Sequence, residues 1–163
     1  MSTQNPYIAP RAAVSDAPEA YQQVRVFSVS GRIGRARYIA YTLGISALFS
    51  AVGAALSAAI GEAANLVAFA AILVLSLMLS IQRSHDFNTS GWLGILGLVP
   101  LANLIFWVIP GTDGPNRFGA RTPPNGVLTL IAAWIIPVVF MAGIVAAISI
   151  PAYQDYVKRS QQK

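Results

Sequence analysis

The sequence predicts an all-α integral membrane protein with four transmembrane helices, and three observations lead to that fold class. The chain contains four long apolar runs, at residues 38–60, 63–81, 92–109 and 127–150. None of them contains a charged residue, and about 20 residues are enough to cross a bilayer core of about 30 Å as a helix. Hydrophobic residues make up 55% of the 163-residue chain and charged residues 10%, against about 25% charged in soluble domains. Too few charges remain to cover a soluble surface.

The N-terminal 30 residues are predicted to form a flexible polar tail. They lack an apolar core and contain Pro6, Pro10 and Pro18, so they do not have the pattern of a signal peptide. Residues 31–126 are expected to form a membrane domain with the first three apolar helices, and residues 127–163 a fourth transmembrane helix with a short polar tail. The chain contains no cysteine, which excludes disulfides and thiolate metal sites.

The first run has a face of small residues. At spacing four along it stand Ser46, Ser50, Ala54 and Ala58. Such a face lets two helices approach closely, and we expect it to pack against the other spans of the same chain, the alternative being a homodimer. Because only Gly61 and Glu62 separate the first run from the second, the two runs are predicted to form an antiparallel hairpin.

The third run is the shortest and allows two interpretations. As a plain span it carries Trp92 and Trp107 near its ends, where aromatic side chains meet the membrane interface. As a re-entrant hairpin it enters and leaves on one side, with its irregular turn covered by protein. We favour the plain span, in which Pro100 is expected to kink the helix and Asn103 to hydrogen-bond to a neighbouring helix.

The basic residues predict a cytoplasmic N-terminus. Five arginines precede the first run, and positively charged segments stay on the cytoplasmic side. Four spans place nine basic residues inside and two outside, whereas a re-entrant third run places eight inside and three outside. The charge rule therefore fixes the N-terminus without separating the two models.

Three blocks next to the apolar runs resemble a known family. Residues 31–38 are Gly-Arg-Ile-Gly-Arg-Ala-Arg-Tyr, Arg83-Ser-His-Asp86 is followed by Ser90-Gly-Trp92, and residues 110–119 are Pro-Gly-Thr-Asp-Gly-Pro-Asn-Arg-Phe-Gly. In order and spacing they resemble the signature blocks of a bacterial inner-membrane family catalogued as domain of unknown function 805, over about residues 28–123. The resemblance implies a multi-pass protein of the bacterial inner (plasma) membrane and brings no agreed activity.

The polar residues of these blocks are predicted to form a polar collar at the membrane surface. The collar consists of Arg32, Arg35, Arg37, Arg83, His85, Asp86, Asn116 and Arg117. Its arginines are expected to pair with Asp86 and with anionic lipid headgroups, each basic residue near such a surface contributing about 1 kcal/mol. Arg83, His85 and Asp86 have a second interpretation, a headgroup site or a proton-sensitive contact, because histidine changes charge near neutral pH. We favour a structural, hydrogen-bonded loop.

No catalytic, cofactor or metal site is expected. One histidine without cysteine falls short of the three or four ligands that a metal site needs. Ser84 and His85 are adjacent in sequence, but a nucleophile and its base are recognised by spatial geometry and an orienting third group. The protein is therefore predicted not to be an enzyme.

The end of the fourth run resembles a second family. Residues 143–160 are similar to the N-terminal helix of type IV pilins, and within them Gly143 and Ala147 are candidate helix-packing positions. Aligned on this segment, Thr129 stands where the pilin leader has glycine, and Trp134 where the pilin helix has glutamate. We therefore expect neither cleavage by a prepilin peptidase nor a pilin subunit, since no globular domain follows.

These observations predict a small non-enzymatic inner-membrane protein that acts as an envelope scaffold or accessory factor. Its pilin-like segment either packs against pilin helices or is a membrane segment with no such role. The resemblance implies that the C-terminal end of the segment faces away from the cytoplasm, as it does in a pilin before assembly. The expected partners are anionic headgroups of the bilayer, a pilin-like membrane protein and a second copy of the chain, and no nucleic acid. The alternative is an oligomeric transporter of a small solute or lipid, which would need a polar path at mid-membrane. No cofactor is expected in either case.

Overall fold

The computed structural model describes residues 21–161, so residues 1–20 of the predicted tail lie outside the described part. In chain order its elements are α1 (Arg35–Ile60), α2 (Ala63–Asp86), a 3₁₀ helix (Gly91–Leu98), α3 (Pro100–Val108) and α4 (Val127–Gln161). Helices α1, α2 and α4 are long and apolar enough to cross a membrane. The all-α fold is confirmed, and the described residues contain three helices that could span a membrane where four were predicted.

Helices α1 and α2 form the predicted antiparallel hairpin. Gly61 ends α1 with a φ of 92°, a conformation that favours glycine. Its N–H donates to Ser57 O at 2.9 Å and so closes the last turn. The two helices approach closely at Gly53, where a Cβ would lie 2.7 Å from the Cβ of Ala68.

Only part of the predicted small-residue face of α1 is buried. Ser46 is half-buried, whereas Ser50, Ala54 and Ala58 are exposed. The close approach falls on Gly53 because a residue without a Cβ lets the helices come nearer than alanine does. The exposed part of the row therefore does not pack inside this chain as predicted, as far as the described residues go.

The third apolar run is not one helix, so the predicted continuous helix over residues 92–109 is wrong. The 3₁₀ helix ends at Leu98, Val99 is extended, and Pro100 lies in the first turn of α3. Proline fits a first turn because the N–H that it lacks has no partner there. The pieces have eight and nine residues, whereas a span needs about 20. Pro100 thus starts a helix instead of kinking one.

The two short helices form a hairpin that returns to the end of the molecule from which it starts. Its first leg runs beside α2, since a Cβ at Gly91 would lie 3.0 Å from His85 Nε2, and one at Gly97 would lie 2.1 Å from Ser80 Oγ. The chain after the second leg returns to the last turn of α2, where Thr112 N donates to Asp86 O at 2.8 Å. This geometry matches the re-entrant alternative.

Helix α4 starts at the same end of the bundle, and its first turns pack against α1. Its first turns share a cleft with the start of α1, lined by Arg35 and Ile39 on one side and Leu130 and Trp134 on the other. With 35 residues the helix is about 52 Å long. It continues past Ile150, where the apolar run ends, and includes Pro151 and the polar residues that follow.

The segment before α1 packs against the end of α2. Gln82 Nε2 donates to Arg25 O at 2.8 Å, and Ile33 N donates to Gln82 O at 3.3 Å. Ile33 is completely buried, and Val26 packs against the same cluster. The cluster consists of Ile33, Tyr38, Leu79 and Phe106. Residues 21–30 therefore belong to the folded domain and not to the predicted tail, because they cover the polar last turn of α2.

Candidate functional site at the polar collar

The polar collar is built around one buried carboxylate. Asp86, in the last turn of α2, is 5% exposed. Its Oδ1 accepts hydrogen bonds from Arg32 Nε at 3.2 Å and Nη2 at 3.1 Å, and its Oδ2 accepts one from Arg83 Nη1. Both carboxylate oxygens are thus paired with guanidinium groups, which is what a charge removed from water requires. The predicted pairing of arginines with Asp86 is confirmed.

Arg32, three residues before α1, uses all five of its N–H groups. In addition to its bonds with Asp86, Nη1 donates to Gly114 O at 2.7 Å and to Gly119 O at 3.3 Å, and Nη2 donates to Thr112 O at 2.6 Å. The side chain is 1% exposed. A guanidinium has five donors in a rigid fork. Arg32 therefore ties the loop that follows α3 to the end of α2 with its full donor capacity.

Arg83 secures the return leg of the hairpin. Its Nε donates to Phe106 O at 3.0 Å, and its Nη2 donates to Ile109 O. The last carbonyls of a helix have no partner within that helix, and Arg83 supplies donors at the end of α3. The side chain is completely buried between these elements. One arginine on α2 thus holds the hairpin in place.

His85 has one fixed orientation beside the loop. Its Nδ1 lies 3.0 Å from Gly31 O, and because a carbonyl can only accept, Nδ1 carries the proton. The imidazole stacks on the Phe118 ring with centroids 3.8 Å apart and planes inclined by 9°. The backbone carbonyl of His85 accepts from Asn116 Nδ2 at 2.8 Å. These contacts join α2 to the segment before α1 and to the loop after α3.

A second polar contact lies deeper, between α1, α2 and α3. Tyr38 Oη donates to Asn103 Oδ1 at 2.6 Å and lies 2.9 Å from Ser80 Oγ. Tyr38 and Ser80 are completely buried, so their hydroxyls need protein partners. The prediction that Asn103 bonds to a neighbouring helix is confirmed, and its partner is Tyr38.

The other predicted collar residues lie at the edge of this cluster. Arg37 is buried and donates to Pro123 O at 2.7 Å and to Pro124 O at 2.9 Å, which fixes the chain that leads into α4. Arg35 and Arg117 are exposed. The structure thus brings together five of the eight predicted residues, namely Arg32, Arg83, His85, Asp86 and Asn116.

Several residues of the site were not predicted from the sequence. Gln82 binds the carbonyls of Arg25 and Ser28, and Thr112 Oγ1 donates to Asp86 O at 2.9 Å. Gln82 could have been noticed, because it directly follows an apolar run and begins the polar sequence that ends at Asp86. Thr112 gave no such signal, since threonine is common in exposed turns.

The chain matches a known protein family. A family model described as "Protein of unknown function (DUF805)" matches residues 26–120. The match covers more than half of the chain and all eight predicted collar residues, and it confirms the resemblance inferred over about residues 28–123. Helix α4 lies beyond the matched residues. No curated protein and no solved structure matches the chain.

Proposed function

Because the chain belongs to the DUF805 family, whose function is unknown, we propose a role from its own residues: a non-enzymatic membrane scaffold that presents α4 to a pilin-like partner helix. The polar collar and the hairpin formed by the 3₁₀ helix and α3 are the rigid base of this scaffold. Helix α4 is the element that the base positions.

The hydrogen bonds of the collar favour a structural role over a catalytic one. Both oxygens of Asp86 are paired with arginines, and all five donors of Arg32 are bound to protein acceptors. His85 Nδ1 is bound to Gly31 O. An acid or base catalyst must reach a substrate proton within hydrogen-bonding distance, whereas these atoms hold backbone segments together. Replacing them should therefore affect stability first.

We place the protein in the bacterial inner membrane with the polar collar on the cytoplasmic side. Three spans and a re-entrant hairpin bring the loop between α3 and α4 to the same side as the N-terminus. The arginines before α1, at the end of α2 and in that loop then share the cytoplasmic face, in keeping with the positive-inside rule. Exposed Arg35 and Arg117 contact anionic headgroups there. The C-terminal end of α4 lies outside.

The main support for a partner helix is the exposed surface of α4. Every residue from 138 to 156 is exposed, and a Cβ at Gly143 would meet no atom within 4 Å. The predicted packing positions Gly143 and Ala147 lie in this stretch, one helical turn apart. Small residues at spacing four let a second helix approach closely in a membrane. The pilin-like sequence of residues 143–160 and an outward-facing C-terminal end both suit a pilin helix as the partner.

Site-specific photocrosslinking in membranes tests the proposal. A crosslinker at Ile144 in cells that produce a pilus is expected to capture a pilin. Ala147→Leu is expected to reduce the captured fraction about tenfold or more, since a bulky side chain blocks close approach of the helices. Ala152→Leu is the matched control, because it makes the same change about 140° around the helix and should leave capture unchanged.

Two other outcomes would contradict this role. Capture of a second copy of the chain alone would make the exposed face a homo-oligomer contact. Solute-dependent flux through the purified protein in liposomes, unaffected by Ala147→Leu, would favour the alternative of a small-solute or lipid transporter.

A further inference from the structure

A cleft opens between the starts of α1 and α4 and the end of α3. Its volume is about 440 Å³, which lies within the usual range of small-molecule sites, about 300–1,000 Å³. The residues that line it include Arg35, Ile39, Trp107, Asn125, Leu130 and Trp134. We call this space the α1–α4 cleft. It lies at the collar end of the bundle but shares only Arg35 with the polar collar.

Two polar atoms of the α1–α4 cleft residues are buried without a hydrogen-bond partner in the described part of the chain. They are Trp107 Nε1, a donor, and Asn125 Oδ1, an acceptor. A buried polar atom without a partner costs about 1–3 kcal/mol, and such atoms are rare in native proteins. Both belong to residues that line the cleft, so a molecule bound there is a candidate to supply the missing partners.

Arg35 gives the cleft a positive charge. Its side chain is exposed, and Nη1 donates to Val108 O at 3.3 Å. Arg32 by comparison has every donor bound to protein. Arg35 thus keeps donors for an anion, and a guanidinium binds phosphate through charge-assisted hydrogen bonds.

The remaining walls are apolar. Ile39 lies one turn further along α1, and Leu130 and Trp134 lie one turn apart on α4. Trp134 is 75% exposed, so its indole forms an outer wall that can turn aside at little cost in packing. An anion with an attached hydrocarbon chain matches this combination of one charged end and apolar sides.

We propose that the α1–α4 cleft binds one anionic phospholipid whose headgroup carries a hydroxyl, such as phosphatidylglycerol. The phosphate accepts hydrogen bonds from Arg35 and Trp107 Nε1, the headgroup hydroxyl donates to Asn125 Oδ1, and an acyl chain lies along Ile39 and Leu130. Basic pockets between membrane helices commonly bind lipid headgroups in this way. The inference deepens the headgroup contact proposed for Arg35, and it is independent of the proposed pairing of α4 with a pilin helix.

Native mass spectrometry of the full chain in detergent, with phosphatidylglycerol added, tests the site. The wild type is expected to retain one lipid. Trp107→Phe removes the indole N–H and keeps an aromatic ring, and Arg35→Gln removes the charge. Each is expected to weaken retention about tenfold, the loss that corresponds to one hydrogen bond to a charged group. Retention of phosphatidylcholine, which lacks the hydroxyl and the net charge, is expected to be equally weak.

Arg159→Gln is the matched control, because it removes the same charge from an exposed arginine outside both the cleft and the polar collar. It should leave retention unchanged, and a loss as large as that of Arg35→Gln would overturn the proposal by showing unspecific attraction. Since Arg35 is exposed, Arg35→Gln also gives a folded test protein if Trp107→Phe unfolds. Displacement of the lipid by millimolar inorganic phosphate would overturn the lipid assignment in favour of free phosphate.

Discussion

Arg32 and Asp86 are 54 residues apart in sequence, and their side chains meet in a buried ion pair with Nη2 and Oδ1 3.1 Å apart. Arg83 pairs with the other oxygen of the same carboxylate. One negative charge thus holds two buried guanidinium groups that between them bind five backbone carbonyls. The segment before α1, the hairpin and the loop into α4 therefore depend on Asp86.

Asp86→Ala is expected to lower the free energy of unfolding by about 3–5 kcal/mol, because it leaves two buried charges without their partner. Chemical denaturation of the protein in detergent micelles measures this change. Asp113→Ala is the control, since it removes an exposed carboxylate from the same loop and should change stability by about 0.5 kcal/mol or less. Equal effects of the two variants would show that the ion pair does not organise the collar.

Gly97→Ala is expected to displace the hairpin from α2. A Cβ at Gly97 would lie 2.1 Å from Ser80 Oγ and 2.6 Å from Ser80 Cβ, and forcing atoms into packed space costs about 1–3 kcal/mol. Gly44→Ala, where a Cβ meets no atom within 4 Å, should be neutral or stabilising by up to about 1 kcal/mol, since alanine favours helix. Ser80→Gly should rescue Gly97→Ala, and failure to rescue would contradict the contact.

Tyr38→Phe is expected to destabilise the protein by about 1–3 kcal/mol. It removes one hydroxyl and leaves Asn103 Oδ1 without its donor in a region away from water. Thermal unfolding followed by tryptophan fluorescence measures the loss. Tyr153→Phe makes the same change at an exposed position of α4 and should have no effect. If Tyr38→Phe also had none, the hydroxyl would not join the hairpin to α1.

The sequence predicted the helical elements that lipid contact dictates. Absence of charge over about 20 residues is a local property, so α1, α2 and α4 could be located from composition alone. The partner of Asp86 was also partly predictable, because a carboxylate at the end of an apolar run needs a positive charge. These predictions rest on what a bilayer excludes and need no knowledge of the tertiary fold.

The division of the third run could not be predicted from hydrophobicity, since both interpretations keep the same apolar residues out of water. A signal was nevertheless present in Gly91, Gly94 and Gly97, which recur at spacing three. A 3₁₀ helix has 3.0 residues per turn, so the three glycines form one bare face that packs against α2. In an α-helix each step of three residues falls about 60° short of a full turn, so the same glycines would lie along an arc of about 120° and not in one straight row.

The burial of Arg32 and the exposure of Arg35 were equally beyond sequence reasoning. Both arginines stand in the same short block before α1. Which of them is buried depends on the loop at residues 112–119, whose carbonyls bind Arg32. Such a contact between distant segments leaves no mark on local composition. The α1–α4 cleft was missed for the same reason, because its residues come from three separate elements.

The direction of α4 is the most informative prediction about topology. A hairpin that returns to its starting side leaves three spans, so a reporter in the loop at residues 111–125 should show a cytoplasmic location and a reporter fused at Lys163 an external one. Alkaline phosphatase and a fluorescent protein, which are active on opposite sides of the inner membrane, give complementary readouts at both positions. A reporter at Glu62, between α1 and α2, is the control and should be external in either model. An external loop with a cytoplasmic Lys163 would restore the four-span arrangement, and α4 would then face the wrong way to meet a pilin helix.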